Sequence, residues 1–85
     1  MKEFVYTIRD ENGIHARPAG LLIKKAGEFK SNITIHKGTK SADAKKIFSL
    51  MSLGAKKDDE LRITVSGDDE DTAAAEILKF FQAAL

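Results

Sequence analysis

The residues of this chain that could do chemistry are few, and they crowd into one segment, Gly13-Ile14-His15-Ala16-Arg17-Pro18-Ala19. His15 stands where a turn gives way to a helical pattern. The first N–H groups of a helix have no intrahelical acceptor and point at whatever precedes them. Such a join is an anion site, best suited to a phosphate. Arg17 adds a permanent positive charge and a planar fork of donors that matches phosphate oxygens. Pro18 falls in the first turn, where its missing N–H costs nothing and its fixed φ stiffens the backbone. A neutral imidazole in that setting can act as a nucleophile and be left holding a phosphoryl group. The plainer alternative is that His15 only caps the helix and Arg17 is a solvated charge. The Gly turn before His15, and the Arg and Pro after it, weigh against that alternative.

Other chemistry finds little support. His36 is read at a strand end beside a hairpin, as a surface histidine with no phosphate nest near it. Gly38-Thr39-Lys40-Ser41 faintly resembles the end of a phosphate loop, but no Gly directly precedes the Lys. The chain lacks GxGxxG, the GxSxG elbow and HExxH. It has no cysteine and only 2 histidines, so zinc, disulfide and cysteine chemistry are all excluded. No metal and no cofactor are expected.

The elements that must position this segment follow from periodicity. Glu3–Ile8 alternates, with Phe4, Tyr6 and Ile8 on one face, and predicts a strand. Asp10-Glu11-Asn12-Gly13 is turn chemistry. From Ala16 to about Phe29 the apolar residues recur at helical spacing through Ala19, Leu22, Ile23 and Ala26. Ile33–Ile35 is a second strand, His36–Lys40 a hairpin turn, and a short third strand follows. Ala44–Leu53 reads as a short helix closed by Gly54. Leu61–Ser66 alternates again as a fourth strand. Asp68 or Asp69 caps a last helix whose stripe is Ala74, Ile77, Leu78, Phe81 and Leu85. The order β-α-β-β-α-β-α, with no repeat and no linker, predicts one α+β domain over 1–85. Its antiparallel sheet is covered on one face by helices.

At 85 residues there is room for one domain and a modest core. No apolar run is long enough to span a membrane. MKEFVYTIRDE carries charges where a signal peptide needs apolar residues, so a cytoplasmic protein is expected. The net charge of +1 conceals an asymmetry, with +7 on residues 1–57 and −6 on residues 58–85. Scattered lysines without interleaved aromatics fit docking to acidic proteins at least as well as nucleic acid. The short helix holds more apolar residues than one buried stripe needs. Leu50 and Leu53 can face the core. Ile47, Phe48 and Met51 then form an exposed docking patch ringed by Lys24, Lys45 and Lys46, unless a larger core takes them all.

GIHARPAG followed by a helix, KIFSLMSLGAKKDDE further on, and a strand-turn-helix close together resemble the HPr family, the histidine-containing phosphocarriers of the bacterial sugar phosphotransferase system. The resemblance runs through essentially the whole chain. It implies an open-faced β-sandwich, a four-stranded sheet in order 1-4-2-3 under three helices. It implies phosphorylation of His15 at Nδ1 by enzyme I, which draws on phosphoenolpyruvate, and onward transfer to the IIA domains of sugar permeases. Arg17 would position the phosphoryl group, and Ala16, Arg17 and Pro18 would surround it through the amides of the first two. The family also places the short helix beside the active histidine, in contact with both partners.

Two positions depart from the family. Many relatives from Gram-positive bacteria carry a kinase-phosphorylated Ser where this chain has Lys46. Gly20 stands where relatives often have Thr or an Ala-like residue. The expectation is a monomeric carrier with no turnover of its own, no nucleic-acid partner and no membrane insertion. The rivals are a regulatory binder that modulates other proteins and, on the basic charge of residues 1–57 alone, a small nucleic-acid-binding domain.

Overall fold

Residues 1–85 are described by a computed structural model. The elements run β1 (Lys2–Thr7), α1 (Ala16–Ala26), β2 (Asn32–Lys37), β3 (Lys40–Asp43), α2 (Ile47–Ser52), β4 (Glu60–Ser66) and α3 (Glu70–Ala84). The four strands form one antiparallel sheet in the order β1-β4-β2-β3. Alternation decides which face is covered. Tyr6, Ile33, Ile35, Leu61, Ile63 and Val65 are buried on one side, while their neighbours Val5 and Arg62 point to solvent on the other. A one-residue slip in any strand would invert this partition, so the pattern pins the register, with Ile35 opposite Ile63 and Phe4 opposite Ile63. The helices lie on the apolar face: α3 packs on β1 and β4, α2 on β3, and α1 on both other helices. This is the open-faced α+β sandwich that the sequence implies.

Phe81 anchors the α3 side. It is fully buried, stacked on Tyr6 at 5.4 Å between ring centroids and met edge-on by Phe4 at 6.1 Å. Aromatic pairs of this kind add about 0.5–1.5 kcal/mol beyond area burial. Ala73, Ile77, Phe81 and Leu85 form the buried line of α3. Ala74 and Leu78, expected in that line, flank it half-buried.

Several boundaries differ from the sequence reading, each for a local reason. The first strand stops at Thr7, though Ile8 is fully buried just beyond it. The first helix ends at Ala26 rather than near Phe29, because the chain tightens there into i→i+3 bonds, Glu28 N–H to Lys25 O and Phe29 N–H to Ala26 O. The hairpin loop is only Gly38-Thr39, with Gly38 at φ +59. His36 therefore lies within β2, opposite Ser41 and Arg62, and not in a turn. The short helix begins at Ile47, not Ala44. Asp43 takes the preceding residues into a turn, accepting from Lys45 N–H through its side chain and from Lys46 N–H through its carbonyl. Asp69 precedes α3 but does not cap it with its side chain. That carboxylate instead accepts from Lys30 N–H at 2.8 Å, Ser31 N–H at 2.9 Å and the Ser31 hydroxyl, tying the end of the α1–β2 loop to the start of α3.

Candidate functional site

The turn before α1 is built by backbone contacts that leave His15 facing outward. Asn12 N–H donates to the Asp10 carboxylate at 2.8 Å, and Gly13 N–H to Asp10 O at 3.0 Å. Gly13 has φ +63 and sits so close to the Ala55–Lys56 backbone that any Cβ would collide with it. Ile14 N–H donates to Ala55 O at 3.0 Å, and the Ile14 side chain is buried. The loop after α2 thus clamps the turn immediately before His15. Beyond it, Pro18, Ala19 and Leu22 bury the inner face of α1 and fix the helix start.

His15 is the N-cap residue, extended at φ −115 and ψ −178. Its carbonyl accepts from Ala19 N–H at 2.9 Å, while its ring makes no capping hydrogen bond. The ring is half-exposed and uncommitted. The amides of Ala16 and Arg17 have no backbone acceptor, and Pro18 has no N–H to satisfy. The first turn of α1 carries no carboxylate that would compete for these donors. The Arg17 side chain is exposed and has no ion-pair partner. His15, Arg17, Pro18 and Leu21 line an open depression of about 410 Å³, together with Asp10, Asn12 and Ala84. An uncommitted imidazole, two unclaimed N–H groups and one free guanidinium therefore fall within three consecutive residues, of which His15 and Arg17 line the depression. The arrangement can hold three anionic oxygens beside a nucleophilic nitrogen.

Four lining residues escaped the sequence reading. Leu21 lies four residues after Arg17, so helical spacing alone could have found it. Asp10 and Asn12 were visible only as turn formers. Ala84 arrives from the far end of the chain. The Leu85 carbonyl accepts from the amides of Arg9 and Asp10, at 2.6 and 2.8 Å, and this docking has no local sequence signal.

The second group of expected residues divides. Phe48 is 84% exposed and Met51 40% exposed, while Leu50 and Leu53 are buried. Ile47, expected outside with Phe48, is half-buried and packs against the core, since it lies three residues from Leu50 on the inner side of α2. Lys24 and Lys46 are exposed and unpaired. Lys45 is different: its ammonium donates to Phe29 O at 2.8 Å and closes the end of the α1 segment. Lys46 forms the N-cap of α2 with no side-chain capping bond.

His36 stands apart from all of these. Its Nε2 lies 3.2 Å from the Thr64 hydroxyl on the open sheet face. Partial burial, and then the nearby Arg62 charge, hold its pKa below the ordinary histidine value.

Comparison with known proteins places the chain in a family. The family profile described as "PTS HPr component phosphorylation site" matches residues 2–83. The chain is 42% identical over 73 residues to the phosphocarrier protein HPr of Buchnera aphidicola subsp. Baizongia pistaciae, covering 86% of each chain. It superposes on the crystal structure of HPr from Thermoanaerobacter tengcongensis with a TM-score of 0.93 and 35% identity, covering 98% of this chain and 93% of that one. A dimer of HPr from the same organism aligns at a TM-score of 0.77 and 35% identity, covering 98% and 95%. The chain belongs to the HPr family, the phosphocarriers of the phosphotransferase system. No helix is long and apolar enough to cross a membrane.

Proposed function

We propose that this chain accepts a phosphoryl group on His15 from enzyme I and passes it to the IIA domains of sugar permeases. The observation that carries the reading is the wall of α1: a half-exposed, uncommitted His15 ring at the N-cap, beside the unclaimed amides of Ala16 and Arg17. In the proposed step the lone pair of the neutral His15 Nδ1 attacks the phosphorus in line. The bond from phosphorus to the donor atom on enzyme I breaks, and that atom keeps the electron pair. Such transfers spread charge over three equatorial oxygens and need positioning and electrostatics more than covalent assistance. The two amides and the Arg17 guanidinium supply both. The second transfer reverses the roles, with His15 as leaving group.

Phe48 and Met51 form the apolar centre of the docking surface, and Lys24 and Lys46 its free cations. Lys45 contributes through fold rather than contact, because its ammonium is occupied by Phe29. The chain works as one domain and as a monomer in the cytoplasm, with no turnover of its own. Lys46 in place of the regulatory serine exempts it from control by a serine kinase. The deciding experiment is incubation with enzyme I and phosphoenolpyruvate followed by intact mass measurement. The parent gains one acid-labile phosphoryl group and His15→Ala gains none. Equal uptake by both proteins overturns the assignment.

A further inference from the structure

Lys37 is a charged residue on the covered side of the sheet. Alternation along β2 puts it on the same face as the buried Ile33 and Ile35. Its side chain is 31% exposed. An ammonium so placed needs partners, and it has one for each of its three N–H groups. The Nζ donates to Leu53 O at 3.4 Å and to Gly54 O at 3.1 Å, and lies 3.2 Å from the Asp59 carboxylate. The last turn of α2 has no basic residue of its own, so a lysine of β2 supplies the donor that the end of this helix lacks. All three acceptors belong to residues 53–59, the segment between α2 and β4.

That segment is the one that holds the turn before His15. Ala55 O accepts from Ile14 N–H at 3.0 Å, and the Ala55–Lys56 backbone lies against Gly13. The segment also meets the end of β1 twice, through Asp58 N–H to Ile8 O at 2.8 Å and Ile8 N–H to Asp59 O at 3.0 Å. It is not a relaxed loop. Asp58 sits at φ +74, in the left-handed region, and such a conformation persists only where the surroundings over-determine it. Asp59 supplies part of that constraint, accepting from Lys56 N–H at 2.8 Å while it faces Lys37. Its carboxyl is held below the ordinary value by the Lys56 amide first and by Lys37 next, so it is ionised at neutral pH. The path from Lys37 to His15 is therefore short. It runs from the ammonium to the Gly54 carbonyl, along the chain to Ala55, and across to the Ile14 amide.

Resting on the carrier reading above, we propose that Lys37 is a positioning residue for phosphoryl acceptance. It touches neither His15 nor the phosphoryl group. It pins Leu53, Gly54 and Asp59, so that Ala55 stays where Ile14 can bond to it and α1 starts with His15 in one place. In-line transfer depends on such placement, since a displacement of about 1 Å caused far from the chemistry can cost on the order of a hundredfold in rate.

The test uses Lys37→Met, which keeps an unbranched apolar stem and removes the ammonium. Hydrogen exchange of the Ile14 amide is compared with that of Ile63 in β4, and phosphorylated enzyme I is mixed with excess carrier and quenched rapidly. In the variant, Ile14 loses protection relative to Ile63 by roughly threefold or more. The maximal transfer rate at saturating carrier falls roughly threefold or more, and by a larger factor than the half-saturating concentration rises. Ile77→Val, a core truncation on α3, lowers the melting temperature and leaves the maximal rate unchanged. Should Lys37→Met fail to fold, Asp59→Asn removes one of the three partners and carries the same readouts in the same direction. Unchanged Ile14 exchange or an unchanged maximal rate overturns the proposal. So does an effect confined to the half-saturating concentration, which would place Lys37 in the docking contact. Equal slowing by Ile77→Val overturns it too, because lost stability would then explain the rate. If the parent itself takes no phosphoryl group, the carrier reading falls and this inference with it. Uptake at one maximal rate by the parent and Lys37→Met removes this inference alone.

Discussion

Phe48→Ala and Leu50→Ala alter residues two positions apart on α2, and the structure sends them to opposite outcomes. Full burial of a large apolar side chain contributes about 1.5–3 kcal/mol. Phe48 is 84% exposed, so only about a sixth of its surface is removed from water, and its share is at most about 0.5 kcal/mol. Truncation there leaves no cavity, and alanine is the better helix former. Phe48→Ala therefore shifts the unfolding free energy by less than about 0.5 kcal/mol, in line with surface substitutions generally. Leu50 is 0% exposed in the centre of the core, and its truncation costs about 2–5 kcal/mol. Against a total of roughly 4–13 kcal/mol for a chain of this length, that is a severe loss. Urea titrations followed by far-ultraviolet circular dichroism measure both, and a shared slope lets the midpoints be compared directly. The second arm is calorimetric titration with enzyme I. There Phe48→Ala weakens binding roughly tenfold or more, as expected for an aromatic anchor at the centre of a contact. A loss of more than about 2 kcal/mol on Phe48→Ala would put the ring in the core and refute the packing argument. Unchanged affinity for enzyme I would refute the docking argument.

Arg17→Ala leaves the unfolding midpoint within about 0.5 kcal/mol of the parent, since the side chain has no partner in the fold, and slows phosphoryl transfer from enzyme I; equal transfer rates in rapid-quench measurements contradict this. The Asp69 carboxyl is held below its ordinary value of 3.8 by the Ser31 hydroxyl first and the Lys30 amide next. Its contribution is therefore complete above the unfolded value and is lost as the pH falls through the lower folded value. Asp69→Asn should melt lower than the parent at neutral pH and lose less on acidification from about pH 5 to pH 2, and parallel melting curves for the two proteins would count against it. Lys46→Ser supplies the missing N-cap acceptor of α2 and raises stability by about 0.5–1 kcal/mol in urea titration. It also creates a substrate for the serine kinase of a Gram-positive bacterium, whereas phosphate from that kinase on the parent at Ser49 or Ser52 would end the claim of exemption.

The elements were legible because each carries its own period: two in Phe4-Tyr6-Ile8 and Leu61-Ile63-Val65, and three to four in Ala19-Leu22-Ile23-Ala26. What the sequence could not settle was where side chains are spent. Asp69 is an ordinary N-cap by type and position, yet its carboxylate reaches 38 residues back in sequence to Ser31. Asp43 draws Lys45 and Lys46 into a turn and so shortens α2. Lys45 appears as one of three lysines beside the apolar patch, but its ammonium meets Phe29 O. The Asp69 and Lys45 contacts are tertiary choices, decided by which acceptor comes within reach after folding, whereas the Asp43 turn is a local competitor of the helix start. The strand order β1-β4-β2-β3 likewise came from family resemblance, because alternation assigns faces to strands but not neighbours.

The segment around His15 was the most legible part because its chemistry is local. The N-cap position, the first amides of α1 and the guanidinium two residues on are set by consecutive residues, and no distant partner is needed to read them. What the fold adds is restraint. The depression holding His15 carries one fixed cation, Arg17, and also a carboxylate, Asp10, whose charge opposes a bound phosphate. A site intended to hold phosphate would surround it with cations and close over it. A carrier must release the group as readily as it accepts it, so the charge around the phosphoryl group has to remain undercompensated. Openness serves the same end. On the proposed function, the donor and the acceptor each approach the same half-exposed ring, and each completes the electrostatic shell with groups of its own before transfer proceeds. On the proposed function, the sparse shell around His15 is what lets two different partners use one histidine in succession.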